Sequence, residues 1–87
     1  MKVFFDEIEK AFDDLIQEKK PREQIASWAL KKQQAEDVDV LEYDPSFEEE
    51  RIWEAISYLT GVDLKNSDGS YLHSIENFIE FRKESEI

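Results

Sequence analysis

The sequence has no cysteine, one histidine, two glycines and two prolines among its 87 residues. Without cysteine the chain can form neither disulfides nor thiolate metal sites, and this suits a reducing cytoplasm. Two glycines are too few for a glycine-rich phosphate-binding loop. The N-terminal segment carries acids where a signal peptide has an apolar run, and no window is apolar enough to span a membrane. We therefore predict a soluble cytoplasmic protein.

Positive charge is also scarce in this chain. Its 22 acidic residues outnumber its 11 basic residues, which gives a net charge of -11. Such a charge repels nucleic-acid phosphates and anionic lipids, and it attracts basic surfaces. The composition therefore predicts a basic protein partner, and it predicts no binding to nucleic acid or membranes.

Patterns for catalysis or metal binding are weak. His73 has no cysteine or second histidine with which to form a zinc site or a nucleophilic pair. Part of a calcium-binding EF-hand loop can be traced around Asp68 and Gly69, but Leu64 and Ile75 stand where its first and last carboxylates belong. We predict a protein that is not an enzyme and holds no metal or cofactor, with an ordinary turn at this loop.

The strongest helical pattern lies between residues 51 and 64. Ile52, Trp53, Ile56 and Leu59 recur at helical spacing, which predicts one buried helix face at the centre of the core. Gly61 follows the last apolar turn and can close the helix in the left-handed conformation.

The other apolar patterns complete an all-α fold, a single compact domain over residues 1–87. Ser74 is a plausible cap for the last helix. Phe12, Trp28 and Trp53 are expected in or against the core. The four predicted helices cover roughly residues 2–18, 21–35, 46–60 and 74–84.

Between helices 2 and 3 the sequence predicts an extended acidic connector. Residues 37–40 alternate acidic and apolar side chains, as a short strand would, but no second alternating run offers a partner. Two overlapping signals start the third helix, namely Asp44 before Pro45 and a capping box of Ser46 with Glu49.

Acidic residues are concentrated in the middle of the chain. Residues 36–54 contain nine acids and one arginine, a net charge of -8. A solvated surface would explain this cluster, and so would a basic partner that offsets the repulsion between like charges. The candidate partner-binding residues are Asp37, Asp39, Glu42, Asp44, Glu48, Glu49 and Glu50.

Four short segments carry a resemblance to known proteins: REQIASWA from Arg22, IWEAI from Ile52, LTGVDL from Leu59 and YLHS from Tyr71. Together they resemble a group of small, mostly uncharacterised bacterial proteins, some of which are immunity proteins encoded beside polymorphic toxins. No catalytic residues carry over. The resemblance implies a toxin-neutralising or similar binding role.

Two functional hypotheses follow from these patterns. The first is an acidic immunity or inhibitor protein that covers the active groove of a basic toxin, such as a nuclease. The alternative is a regulatory or protein-interaction module that binds a partner through exposed aromatics such as Phe5, Tyr58 or Phe81, with acidity serving only solubility.

Overall fold

Helix α3, Glu49–Leu59, lies at the centre of the core in the computed structural model, which describes all 87 residues. Ile52, Ala55, Ile56 and Leu59 are completely buried. Their spacing of three and four residues places them on one stripe of the helix. The predicted central helix is therefore confirmed.

The remaining elements surround α3. A short 3₁₀ turn, Ser46–Glu48, leads directly into α3. None of the helices has the length and apolar character that crossing a membrane requires. The other helices are α1 (Phe5–Ile16), α2 (Arg22–Asp37) and α4 (Ile75–Glu84). The two strands are β1 (Lys2–Phe4) and β2 (Glu42–Asp44).

One hydrophobic core joins β1 to all four helices. Phe12 is fully buried, and Trp28 and Trp53 are partly buried against the same cluster, as the sequence predicts. The ring of Phe81 lies 5.7 Å from that of Phe12 and 3.9 Å from that of Tyr58, centroid to centroid. This aromatic stack holds α4 against α1 and α3.

The all-α class is wrong, because β1 and β2 form a small parallel sheet. Val3 pairs with Tyr43 in this sheet, and its side chain is completely buried. Lys2–Phe4 is too short to show strand periodicity, so its residues were absorbed into the pattern of the first helix. The strand in the connector lies at Glu42–Asp44, just beyond the alternating residues 37–40.

Two helix ends differ from their predictions. α2 continues to Asp37, two residues beyond its predicted end at residue 35. Gly61 lies in a turn after α3, but it does not take the positive φ that the prediction requires. Of the two glycines, only Gly69 has a positive φ, of 90°. Gly61 instead fits close packing, since a Cβ there would lie 3.3 Å from the side chain of Leu64.

The predicted cap of α4 and the polar turn at Asp68 are confirmed, whereas the predicted caps of the third helix are wrong. The Ser74 hydroxyl oxygen accepts a hydrogen bond from the Asn77 backbone N–H at 3.2 Å, which caps α4. Asp68 accepts from the backbone of Ser70 at 3.0 Å, as expected for a polar turn. The start signals near Ser46 mark the 3₁₀ turn, although no side-chain cap bonds form there.

Replacing Phe12 with alanine should destabilise the fold strongly, because it removes a fully buried ring from the aromatic stack. We expect a loss of about 3–5 kcal/mol in the free energy of unfolding, measured by urea denaturation. Phe47 is 84% exposed and provides the matched control. Phe47→Ala should change stability by less than about 0.5 kcal/mol. Equal losses in the two variants would contradict this description of the core.

Candidate functional site

The charge of this protein changes sign along α2. Residues 19–35 carry five basic residues against one acid, a net charge of +4, whereas residues 36–54 have a net charge of -8. Residues 1–18 and residues 55–87 are each net negative as well, so only residues 19–35 are net positive. α2 therefore runs from the one basic stretch of the chain into its most acidic stretch.

Part of the exposed side of α2 forms a stripe that we call the polar face. It consists of Gln24, Ser27, Lys31 and Gln34, all of which are exposed. The other exposed residues of α2 are Glu23, Leu30 and Asp37. Their spacing of three and four residues places them on one stripe. The opposite side of the helix packs into the core, and none of the four side chains in the polar face is a carboxylate. With 16 residues, α2 is about 24 Å long.

An arginine–tyrosine stack fixes the start of α2. The guanidinium of Arg22 lies 4.1 Å from the ring centroid of Tyr71, and the ammonium of Lys65 lies 5.3 Å from the same ring. Arg22 also lies 4.8 Å from the ring of Phe78 and donates to the His73 carbonyl oxygen at 2.5 Å. These contacts attach the 65–71 turn and the start of α4 to α2.

Glu23, the one acid within the basic stretch, is bound by the same tyrosine. The Tyr71 hydroxyl donates to Glu23 Oε1 at 2.7 Å. This hydrogen bond lowers the pKa of Glu23, and it raises the pKa of Tyr71. Glu23 therefore stays charged at neutral pH, while its carboxylate is held against the tyrosine at the edge of the polar face.

Asp14 on α1 is the one buried charged residue, with 3% of its surface exposed. The Lys10 ammonium lies 3.4 Å from its Oδ1, and the Lys20 ammonium lies 3.3 Å from its Oδ2. Burial acts to raise the pKa of Asp14, but the interactions with Lys20 and Lys10 outweigh burial and leave the pKa below its usual value.

The structure gathers part of the acidic cluster around Tyr43. A hollow of about 430 Å³ is lined by Tyr43, Trp53 and the carboxylates of Glu36, Glu49 and Glu50. Tyr43 donates to Glu36 at 2.9 Å. Burial, this hydrogen bond and the nearby carboxylates all raise the pKa of Tyr43. A neighbouring hollow of about 410 Å³ includes Glu42, Asp44 and again Glu49.

The other predicted acidic residues lie outside these hollows. Glu48 pairs with Arg51 at 2.6 Å, so its charge is already partnered. Asp37 ends α2, and Asp39 is exposed in the following turn with a φ of 60°. The seven acids thus divide between two hollows, one ion pair, the end of α2 and one turn, and their role in binding a partner stays a prediction.

The aromatic side chains proposed for partner binding are not the exposed ones. Phe5, Tyr58 and Phe81 are partly buried and pack against the core. Phe47, in the 3₁₀ turn before α3, is the most exposed large hydrophobic side chain. No three histidine, cysteine or carboxylate side chains converge as a metal site would require.

Three features of the site were not identified from the sequence. The polar face had a signal, since Gln24, Ser27, Lys31 and Gln34 keep helical spacing within the basic stretch at residues 19–35. The burial of Asp14 had no signal in the sequence, because its position resembles that of any acid on a solvated helix face. The contacts of Arg22 had no signal either, because its partners lie about fifty residues away along the chain and meet it only in the folded protein.

Comparison with known proteins identifies the family. A family model described as YxzC DNA-binding protein matches residues 5–85, so the chain belongs to this family. The uncharacterized protein YxzC of Bacillus subtilis (strain 168) is 33% identical over 63 residues, which make up 72% of this chain and 46% of that protein. The chain thus spans about half the length of this curated relative. No solved structure matches the chain.

The family description corrects the leading functional hypothesis. The resemblance to small uncharacterised bacterial proteins is confirmed, but their supposed immunity role is not shown. A DNA-binding family conflicts with a toxin-neutralising protein whose partner is basic, and it conflicts with the exclusion of nucleic acid. The prediction failed because the net charge of the whole chain conceals the basic stretch at residues 19–35. A regulatory module agrees better with the family.

Replacing Lys20 with methionine should raise the pKa of Asp14, because it removes the ammonium next to Oδ2. In the unmodified protein this pKa is depressed, so the ion pair stabilises the fold above the ordinary aspartate value of 3.8. That stabilisation is lost as the pH falls through the depressed pKa. NMR titration of the Asp14 carboxyl carbon measures the change.

Lys19→Met provides the matched control for this titration, because Lys19 is exposed and forms no ion pair with Asp14. It removes the same charge from the adjacent position. The Asp14 pKa should shift further in Lys20→Met than in Lys19→Met. Equal shifts would show that Asp14 responds only to the general charge of the surface.

Proposed function

We propose that this protein is a DNA-associated regulatory protein that contacts duplex DNA through the polar face of α2. The observation that carries this proposal is the lysine-bearing polar face of α2, which lies within the one basic stretch of a chain of net charge -11. Membership of a family described as DNA-binding supports the same assignment. The role is one of binding and does not involve catalysis.

The side chains of the polar face suit contacts with DNA. Glutamine can bind the edge of adenine through two hydrogen bonds, and serine and lysine bind either base edges or phosphate oxygens. The major groove is wide enough to admit an α-helix. Gln24, Ser27, Lys31 and Gln34 would thus follow the groove along about three turns of α2.

The charge gradient along α2 determines how the helix would approach DNA. Lys19, Lys20 and Arg22 lie at its start, where the helix dipole also favours phosphate. The acidic stretch begins at its other end, with Glu36 and Asp37. Phosphate repulsion would therefore keep the C-terminal end of α2 away from the DNA and turn its N-terminal end towards it.

The same charges limit how tightly DNA can bind. Only a few lysines near the polar face can reach phosphates, and Lys20 already pairs with Asp14. With three or four phosphate contacts, the logarithm of the binding constant should fall with the logarithm of salt at a slope of about -3. We expect weak binding that requires low salt. A DNA-associated role in a bacterial cell also agrees with the predicted cytoplasmic location.

A second candidate function is that of a regulatory module which binds another protein. The exposed ring of Phe47 favours this role, because a large aromatic side chain open to solvent is a suitable anchor in a protein interface. It is one residue of the 3₁₀ turn, within the acidic stretch at residues 36–54. The two roles are compatible, since Phe47 and the polar face belong to different elements.

Reversing the charge of Lys31 should weaken DNA binding, because it places a carboxylate in the middle of the polar face. Fluorescence anisotropy with a labelled duplex at low salt measures the dissociation constant. We expect Lys31→Glu to raise this constant by at least about tenfold. The salt dependence should also become shallower, by about one unit of slope.

Lys83→Glu is the matched control, since Lys83 is exposed on α4 and the substitution makes the same change in net charge. It should weaken binding much less than Lys31→Glu. Two outcomes would remove the polar face from the proposal: equal losses in the two variants, or no measurable binding of the unmodified protein to any duplex at low salt.

A further inference from the structure

Glu23 is an exposed acid in the first turn of α2, the end of the helix that would turn towards DNA. It lies one helical turn before Ser27, on the same side of the helix. Asp37, the other exposed acid of α2, lies at the opposite end. A freely moving carboxylate at the position of Glu23 would repel phosphates and weaken DNA binding. The structure does not leave this carboxylate free to move.

The carboxylate of Glu23 is held by its neighbours. The Tyr71 hydroxyl donates to its Oε1 at 2.7 Å. The centroid of the same tyrosine ring lies 4.1 Å from the Arg22 guanidinium and 5.3 Å from the Lys65 ammonium. The hydrogen bond from Tyr71, and beyond it the positive charges of Lys65 and Arg22, lower the pKa of Glu23. The carboxylate is therefore ionised at neutral pH, and it can only accept hydrogen bonds.

The second carboxylate oxygen of Glu23 is open to a ligand. Oε2 accepts no hydrogen bond from another residue, and Glu23 belongs to none of the ion pairs in the structure. The residue itself is exposed, next to Gln24 of the polar face. The side chains of Tyr71 and Glu23 together therefore present one positioned acceptor oxygen on the side of α2 that would meet DNA.

A single acceptor of this kind distinguishes the four bases in the major groove. Guanine presents two acceptors there, N7 and O6, and thymine presents the acceptor O4 beside its methyl group. Adenine presents the N6 amino donor next to the acceptor N7. Cytosine presents only the N4 amino donor. A carboxylate is repelled by every base edge that carries an acceptor, so cytosine is the base that suits it.

We propose that Glu23 is a specificity-determining residue of the DNA contact and accepts a hydrogen bond from the N4 amino group of one cytosine. Oε2 makes this contact, while Tyr71 positions the carboxylate through Oε1. Tyr71 is a positioning residue, since it does not touch the base itself. The inference rests on the proposed contact of α2 with duplex DNA. It adds that binding depends on base sequence, with a cytosine facing the first turn of α2.

Selection from a pool of duplexes of randomised sequence tests the choice of base. The full chain binds the pool at low salt, and the bound duplexes are sequenced. The unmodified protein should enrich a motif that contains one cytosine, and Glu23→Gln should replace this cytosine with adenine, because glutamine binds adenine N6 and N7 together. Glu76→Gln is the matched control, since Glu76 is exposed in the first turn of α4 and loses the same charge. It should retain the cytosine.

Two duplexes that differ only at this base pair measure the size of the preference. The unmodified protein should bind the cytosine duplex at least about fivefold more tightly than the duplex with thymine in its place, by fluorescence anisotropy. Tyr71→Phe keeps the ring that contacts Arg22 and removes only the hydroxyl. It should reduce the preference to about twofold or less. A merely structural role of Tyr71 would instead weaken binding to both duplexes equally.

Several results would overturn the assignment. They are a selected motif that Glu23→Gln leaves unchanged, the same change of motif in Glu76→Gln, or equal affinity of the unmodified protein for the two duplexes. Tighter binding of Glu23→Gln to every duplex would show that the carboxylate only repels phosphate. Binding to the pool without any base preference would remove the role of Glu23 and leave the proposed DNA contact standing. The absence of binding to any duplex would remove both.

Discussion

All three arginines of this acidic chain hold distant segments together. Arg22 donates to the carbonyl of His73, and Arg82 donates to the carboxylate of Asp13 at 2.5 Å. Arg51 donates to the carbonyl oxygens of Ser85 and Glu86, beyond the end of α4. A planar guanidinium can serve several acceptors at once, which an ammonium does less well. The packing of α4 and of the 65–71 turn depends on these contacts.

This use of arginine leaves the lysines to define the outer surface. Lys19 and Lys31 are exposed and form none of the ion pairs in the structure, whereas Lys10 and Lys20 pair with Asp14. The positive charges therefore lie near the start of α2, and the negative charges lie at its end and in the residues that follow. Net charge describes long-range repulsion, but a helix that enters a groove meets phosphates at short range, where the local side chains dominate.

Much of the helical architecture could be predicted from the sequence. Apolar spacing identified the buried stripe of α3, and local chemistry identified the Ser74 cap and the turn at Asp68 and Gly69. Such features depend on residues within one or two turns of one another. The class was wrong because the pairing of Val3 with Tyr43 joins segments forty residues apart, and neither strand is long enough to show its period.

The functional surfaces were harder to predict, for a similar reason. The acidic residues were visible as a run, yet the fold divides them between two hollows, an ion pair, the end of α2 and a turn. The buried position of Asp14 depends on how α1 packs against the start of α2, which no local pattern records. The polar face could have been found, because it follows from helical spacing alone.

The contacts of Arg22 have one further consequence. Because its guanidinium contacts Tyr71, Phe78 and the His73 carbonyl together, the first turn of α2 is rigidly attached to α4 and to the turn before it. A surface that is already ordered loses little conformational entropy when a partner docks on it. For the proposed contact with DNA, which the overall charge of the protein opposes, such preorganisation is one of the few ways to retain useful affinity.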